Sequence, residues 1–270
     1  MNLFVMRSKW DMPDLPLPQF LERVKAAGFD GTDIHFEKPP ENPAEIADLH
    51  VRHGLKLVAM VTSDGPTPED HIRSLEQKLR SLPALKPIHV NCHTGRDIFS
   101  LSDNSKIFRS AARLSRELNL PVSHETHRGR ATYSAIATRD LLQAVPEMKL
   151  TADFSHWCCV HESLLADQPE AMELAIQHST YVHARVGHGE GPQVSDPRAP
   201  EWTNEVEAHL GWWKRIAVAR KRQGAEFTAF CPEFGPAPYM PSLPYTRQPV
   251  ADLWEITIHM QKVIRERCGE

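Results

Sequence analysis

The chain has 270 residues, 41% of them hydrophobic, which is enough to bury one sizeable core. Lys and Arg number 31 against 35 Asp and Glu, a net charge of −4 that gives no reason to expect a nucleic-acid partner. Met1 to Asp11 lacks a long apolar core, and no window approaches the roughly 20 apolar residues of a membrane span, so neither a signal peptide nor a membrane helix is expected.

Strands and helices alternate along the chain. Short apolar, β-branched-rich runs predict strands at Leu3–Met6, Gly31–His35, Leu55–Val61, Ile88–His93, Val122–Thr126, Leu150–Phe154, Tyr181–Val186 and Phe227–Glu233. Helical patterns occupy Gln19–Ala27, Ala44–His53, Pro68–Leu82, Asn104–Leu118, Ser134–Val145, Pro169–Gln177, Glu201–Gln223 and Val250–Arg267. Pro18, Pro43, Pro68, Pro169 and Pro249 suit first helical turns, and Gly28, Gly54 and Gly224 suit helix stops. Eight such units predict a single-domain α/β protein over residues 1–270, a closed (β/α)8 TIM barrel of parallel strands. No GxGxxG follows the first strand and no GxxxxGK[ST] occurs, which argues against the open nucleotide-binding sheets. Two Gly/Pro-rich loops, 187–200 and 232–249, follow the seventh and eighth strands, where a barrel keeps its active-site loops.

Five cysteines (Cys92, Cys158, Cys159, Cys231 and Cys268) form neither a CxxC nor a framework spacing. They read as reduced thiols in a cytoplasmic protein. Fifteen histidines are unusual, and His35, His93, His127, His156, His183 and His188 end or follow apolar runs. Of these, His93, His127, His156 and His188 are candidates to contact a substrate.

Glu125, Asp153, His183 and Glu233 lie near the ends of successive predicted strands, at intervals of 28, 30 and 50 residues. One βα unit takes roughly 30. Strand alternation puts all four on one face, with Ser123, Thr151, Tyr181, Arg185 and Cys231, while Val122, Ala152, Val182, Val186 and Phe230 take the other. Asn91, His93 and Asp33 have the same inward parity. Asp33 also suits a turn cap, and His93 a bond to a backbone carbonyl. Three carboxylates and an imidazole meeting at the axis repel one another unless a cation lies between them. The donor set, mostly oxygen with one imidazole, suits one divalent ion, Mn²⁺ or Mg²⁺ before Co²⁺ or Zn²⁺.

The ordered set resembles the xylose-isomerase-like TIM barrels, the sugar phosphate isomerase/epimerase-like superfamily that also holds the family 2 abasic-site endonucleases. The likeness spans most of the chain: Ala27-Gly28-Phe29-Asp30-Gly31-Thr32-Asp33 at the second strand, His124-Glu125-Thr126 at the fifth, Asp153-Phe154-Ser155-His156 at the sixth, Tyr181-Val182-His183 at the seventh and Cys231-Pro232-Glu233 at the eighth. The resemblance implies that Glu125 and Glu233 are acid/base ligands, that Asp153 and His183 hold the ion, and that His156 contacts substrate.

It implies an isomerase or epimerase of a sugar, keto-sugar or sugar acid that works through an enediolate-type intermediate. Arg185 stands where many relatives carry an acidic or neutral function. It is expected to bind an anionic substrate group. That keeps a sugar-acid lyase or decarboxylase as an alternative. The third strand ends Val61-Thr62-Ser63-Asp64 without a histidine, and no D-x-H follows His183, which argues against the endonuclease. A sugar-binding barrel without turnover is the non-enzyme alternative. The other strand-following arginines, Arg7 among them, read as ordinary surface residues. Trp202, Trp212 and Trp213 read mainly as packing for the long helix, with a homo-oligomer contact as the other option.

Overall fold

The computed structural model describes residues 1–269. Among these, the strands are β1 (Asn2–Ser8), β2 (Gly31–His35), β3 (Lys56–Thr62), β4 (His89–His93), β5 (Val122–Glu125), β6 (Leu150–Ala152), β7 (Ser179–His183) and β8 (Phe227–Cys231). All are parallel and follow chain order round a closed barrel, with Asn2 of β1 opposite Phe227 of β8. The helices are α1 (Leu17–Ala26), α2 (Pro43–His53), α3 (Pro68–Ser81), α4 (Leu101–Leu118), α5 (Ala135–Ala144), α6 (Ser155–His161), α7 (Pro169–His178), α8 (Thr203–Arg222) and α9 (Leu253–Cys268). No helix among the described residues is long and apolar enough to cross a membrane.

Local chemistry sets most boundaries. Pro18, Pro43, Pro68 and Pro169 occupy first turns, where the missing N–H costs no helical bond. Thr67 and Asp70 form a reciprocal capping box on α3. Gly54 ends α2 at φ 63°, a left-handed conformation that glycine adopts without a Cβ clash. The last helix departs from expectation. Pro249 bridges to Ser242 instead of opening a helix, and α9 starts at Leu253. There the Asp252 carboxylate accepts the N–H groups of Trp254 and Glu255 at 2.8 and 3.1 Å.

Strands β6, β7 and β8 end earlier than their apolar runs. Asp153, Arg185 and Glu233 therefore lie just past the last ladder residue, on the C-terminal rim. The seven-residue α6 was not foreseen as a helix.

Side-chain parity divides the core radially. Ala152, Phe154, Val182, Val186 and Phe230 belong to the layer between sheet and helices, together with Trp157, Trp212 and Trp213. Each such large apolar side chain stabilises by roughly 1.5–3 kcal/mol. The tryptophans thus pack α8 onto the barrel. Inside the barrel lie Met6, Val58, Tyr181, Ala229 and Cys231. The axis also carries a polar chain: His89 Nε2 lies 2.7 Å from Ser123 Oγ, which lies 2.5 Å from Thr151 Oγ1.

Arg7 is not a surface residue. It is buried at the mouth of β1, paired with Asp11 at 2.6 Å, its guanidinium 5.0 Å from the Trp254 ring. The paired carboxylate makes this burial tolerable.

Three histidines away from the mouth are buried and held neutral. Burial depresses His89 and His124 to about 3 and His209 to about 4, with the charge of Arg220 adding to the effect at His89. Their stabilisation is complete above the ordinary value of 6.5. Below it the unfolded chain takes up protons that the fold refuses, so stability falls as pH drops towards the depressed values. Urea unfolding at pH 8 and pH 5 should show a loss on the order of 2 kcal/mol per histidine; equal midpoints would mean that these rings are charged in the native state.

Candidate active site

The C-terminal ends of the strands surround a cavity of about 570 Å³. Its lining includes Asp33, His93, Glu125, His127, Arg185 and Glu233, with Trp10, Phe36, Met60 and Tyr239 on the wall. Asp153, His156 and His183 lie beneath this lining, fully buried. Glu125, Asp153, His183 and Glu233 each present a ligating atom, and these atoms all fall within 4.8 Å of one another. The even parity of four short parallel strands brings together residues up to 108 positions apart (233−125).

His183 is the hinge of the cluster. Its Nε2–H donates to Asp33 Oδ2 at 3.0 Å, and the same oxygen accepts the Tyr181 hydroxyl at 2.7 Å. Asp33 therefore holds the ring and its tautomer, while remaining at the cavity edge. Nδ1, on the other side of the ring, is buried and without a hydrogen-bond partner. It faces Glu125 Oε2 at 3.2 Å and Glu233 Oε2 at 3.1 Å. With Nδ1 deprotonated, three atoms at such spacing would fit one coordination sphere, because cis ligands about 2.1 Å from a common ion lie about 3 Å apart.

The charge count agrees. Asp33, Glu125, Asp153 and Glu233 are all less than a tenth exposed, and among the described residues Arg185 is the one permanent cation in direct contact with this group. A divalent ion removes two of the three remaining negative charges.

The protein meets part of this repulsion itself. Asn91 Nδ2 donates to Glu125 Oε2 at 2.6 Å, and His93 Nε2 stands 3.0 Å from the same oxygen. Burial would raise the Glu125 carboxyl, but the neighbouring His93 and His183 hold it well below the usual range. Burial lowers His183, but Glu233 and Glu125 outweigh it and drive the ring well above its ordinary value. A proton on Nδ1 thus offsets part of the carboxylate charge. Asp153 goes the other way: burial pushes it up to about 6, with Arg185 opposing and Glu125 and Glu233 adding.

Arg185 is buried and turned into the mouth. It pairs through Nη2 with Asp153 and donates to His156 Nε2 at 2.8 Å. Nη1 stands 3.5 Å from Glu233 and has no hydrogen-bond partner. The sequence placed Arg185 inward, and the structure does the same; its pairing with Asp153 was not foreseen.

His127 donates its Nδ1–H to the Arg128 carbonyl at 2.6 Å, which frees Nε2, and with His93 and Glu125 it forms a second group of potential ligands that shares Glu125. The His127 and His156 rings meet tilted by 48°, their centroids 3.9 Å apart. His188 is elsewhere: it packs on Trp202 at 4.9 Å, pairs through its backbone with Gly191, and is not among the cavity-lining residues. Trp10 and Tyr239 escaped the sequence reading. An aromatic residue in a loop directly after a strand was the one available signal.

Neither the protein-family models nor the curated proteins give a match to this chain. Solved structures do match. The 3-keto-D-glucoside 4-epimerase of E. coli, in apo form, superposes with a TM-score of 0.65 at 12% identity, covering 98% of this chain and 100% of that one. A xylose isomerase-like TIM barrel protein from Mycobacterium smegmatis, in complex with magnesium, gives 0.64 at 12% identity over 98% and 96%. The probable 3-DHS dehydratase of Bacillus anthracis, involved in petrobactin synthesis, gives 0.60 at 14% identity over 99% and 100%. At such identities the likeness establishes the fold alone, a closed eight-stranded β/α barrel.

The second contact of His183 supplies a test. Replacing Asp33 by Asn removes the charge that orients the ring, and outer partners of ligating histidines are typically worth 10–100-fold in metal affinity. Titration of Asp33→Asn with Mn²⁺ should show a loss of that size with an unchanged circular dichroism spectrum; wild-type affinity would mean that Asp33 does not set the ring.

Proposed function

We propose that the protein is a divalent-metal-dependent isomerase or epimerase of a sugar, keto-sugar or sugar acid. The observation that carries this reading is the buried His183 Nδ1, without a hydrogen-bond partner, facing Glu125 and Glu233 at 3.2 and 3.1 Å in the floor of the cavity. Glu125, Asp153, His183 and Glu233 would hold the ion, with Mn²⁺ or Mg²⁺ suited to a mostly oxygen donor set. When bound, the ion supplies positive charge beside the substrate's carbonyl and neighbouring hydroxyl, which acidifies the adjacent C–H. The magnesium complex of the M. smegmatis barrel supports a hard cation, and the E. coli epimerase supports this substrate class.

The remaining work falls to side chains. Glu125 and Glu233 approach the floor from strands β5 and β8, separated round the barrel by β6 and β7. Two carboxylates on different sides of a bound carbon can remove a proton from one face and return one to the other. His93 and His183 keep Glu125 ionised, and Asn91 aims it, as a base requires. Arg185, with Nη1 unpaired, would receive an oxygen of the substrate that gains negative charge. Phe36, Met60 and Tyr239 restrict water on the open side.

A second reading rests on the same Arg185. A fixed cation beside the reacting carbon also suits elimination of water or carbon dioxide from a sugar acid, and the B. anthracis barrel is a probable dehydratase. Product mass separates the two, because isomerisation leaves it unchanged.

The metal content of the purified protein, followed by a screen of keto-sugars and sugar acids with product masses, tests the whole reading. Glu125→Gln and Glu233→Gln should each lose about 10²–10⁴-fold in turnover. Near-normal turnover in either variant would remove it from acid/base duty. A protein that takes up no divalent ion would sink the metal-dependent mechanism.

A further inference from the structure

Trp10 sits in the loop after β1, lines the cavity, and leaves 39% of its surface exposed. An exposed tryptophan is usually mobile, but this one is seated. Its ring lies so close over Gly235 that a Cβ there would fall 2.1 Å from Trp10 Cζ3. Gly235 is itself clamped: its N–H donates to Gln193 Oε1 at 2.7 Å, and its carbonyl accepts from Gln193 Nε2 at 3.1 Å. Gln193 is buried. The Tyr239 ring meets Trp10 edge-on at 5.0 Å and 79°, and the Arg185 guanidinium lies 4.7 Å from Tyr239 and 6.0 Å from Trp10. Loops after β1, β7 and β8 are thereby joined to hold one indole ring, part of it open to the cavity.

The chemistry of the wall is unlike that of the floor. The floor is carboxylate, imidazole and guanidinium; the wall carries Trp10, Ile34, Phe36, Met60 and Tyr239, with Ser8, Lys9, His35 and Glu37 among the lining. The reacting unit of a small polyol needs only the floor. A cavity of about 570 Å³ falls within the range that holds drug-sized ligands.

We propose that Trp10 is the platform of a second subsite, which stacks the flat face of a further ring, aryl or pyranose, carried by the substrate beyond its reacting unit. An indole held in place loses little freedom on binding, so stacking adds affinity without reorganisation. The substrate class becomes a two-ring glycoside or conjugate in place of a free monosaccharide. The nature of the first ring rests on the sugar-enzyme reading; the platform does not.

Calorimetry on the metal-loaded protein with methyl β-glucoside, phenyl β-glucoside and cellobiose tests it. At least one two-ring probe should bind ten or more times more tightly than the methyl glycoside, and whichever does so identifies the ring as aryl or pyranose. Trp10→Ala should bring the ratio close to one. Gly235→Ala, which displaces the indole without removing it, should do the same, whereas Trp10→Phe keeps most of the preference. A ratio near one in the wild type, or one intact in both Trp10→Ala and Gly235→Ala, overturns the proposal. Failure of the sugar-enzyme reading looks different: no turnover of any sugar, with the preference for the second ring intact.

Discussion

The mouth of this barrel is organised by one electrostatic problem. Four carboxylates are buried around a single permanent cation, Arg185. An uncompensated charge in such a place costs several kcal/mol, and groups that can neutralise normally do so. The raised Asp153 and the strongly raised His183 are two local answers to it. A divalent ion would be a third, and it would answer the largest share of the imbalance at one point. Because an ion held only by the native arrangement stabilises that arrangement by mass action, folding and ion binding would be coupled here.

The barrel interior serves this cluster more than it serves packing. A TIM barrel axis is commonly filled with branched apolar side chains. Here Tyr181 and Asp33 use interior positions to orient His183, and Asn91 to orient Glu125. Thr126 accepts the backbone N–H of Asp153, and Ser155 donates to its carboxylate. Hydrophobic stabilisation is correspondingly moved outward, to the layer between sheet and helices. The strands then hold the polar groups through these hydrogen bonds.

What could be read from the residues alone follows the same division. The eight-strand alternation and the four inward side chains were legible because period-2 parity is local and leaves an imprint on every strand. The strand ends were not, since β6, β7 and β8 stop where ladder partners run out, a property of the neighbours and not of the apolar run. Contacts across the barrel were also illegible: Asp33 meets His183 at a separation of 150 residues. Arg7 read as exposed because its partner Asp11 and the covering Trp254 come from a loop and the last helix. His188 looked like its five fellow histidines in sequence. Its neighbour Trp202, fourteen residues on (202−188), decides its place instead.

Arg185 links the two halves of the problem. Its position two residues after His183 puts it on the same face of the chain, one step further up the mouth. There it touches Asp153 and approaches Glu233 on the floor, while its planar group lies beside the rings of Tyr239 and Trp10 on the wall. A lysine could neutralise the carboxylates, but it could not lie flat between aromatic rings while presenting several donors in fixed directions. The guanidinium thus constrains floor and wall together, so a change in the wall aromatics would also shift the cation that faces the carboxylates. The carboxylate floor and the aromatic wall of this barrel are therefore joined through one side chain.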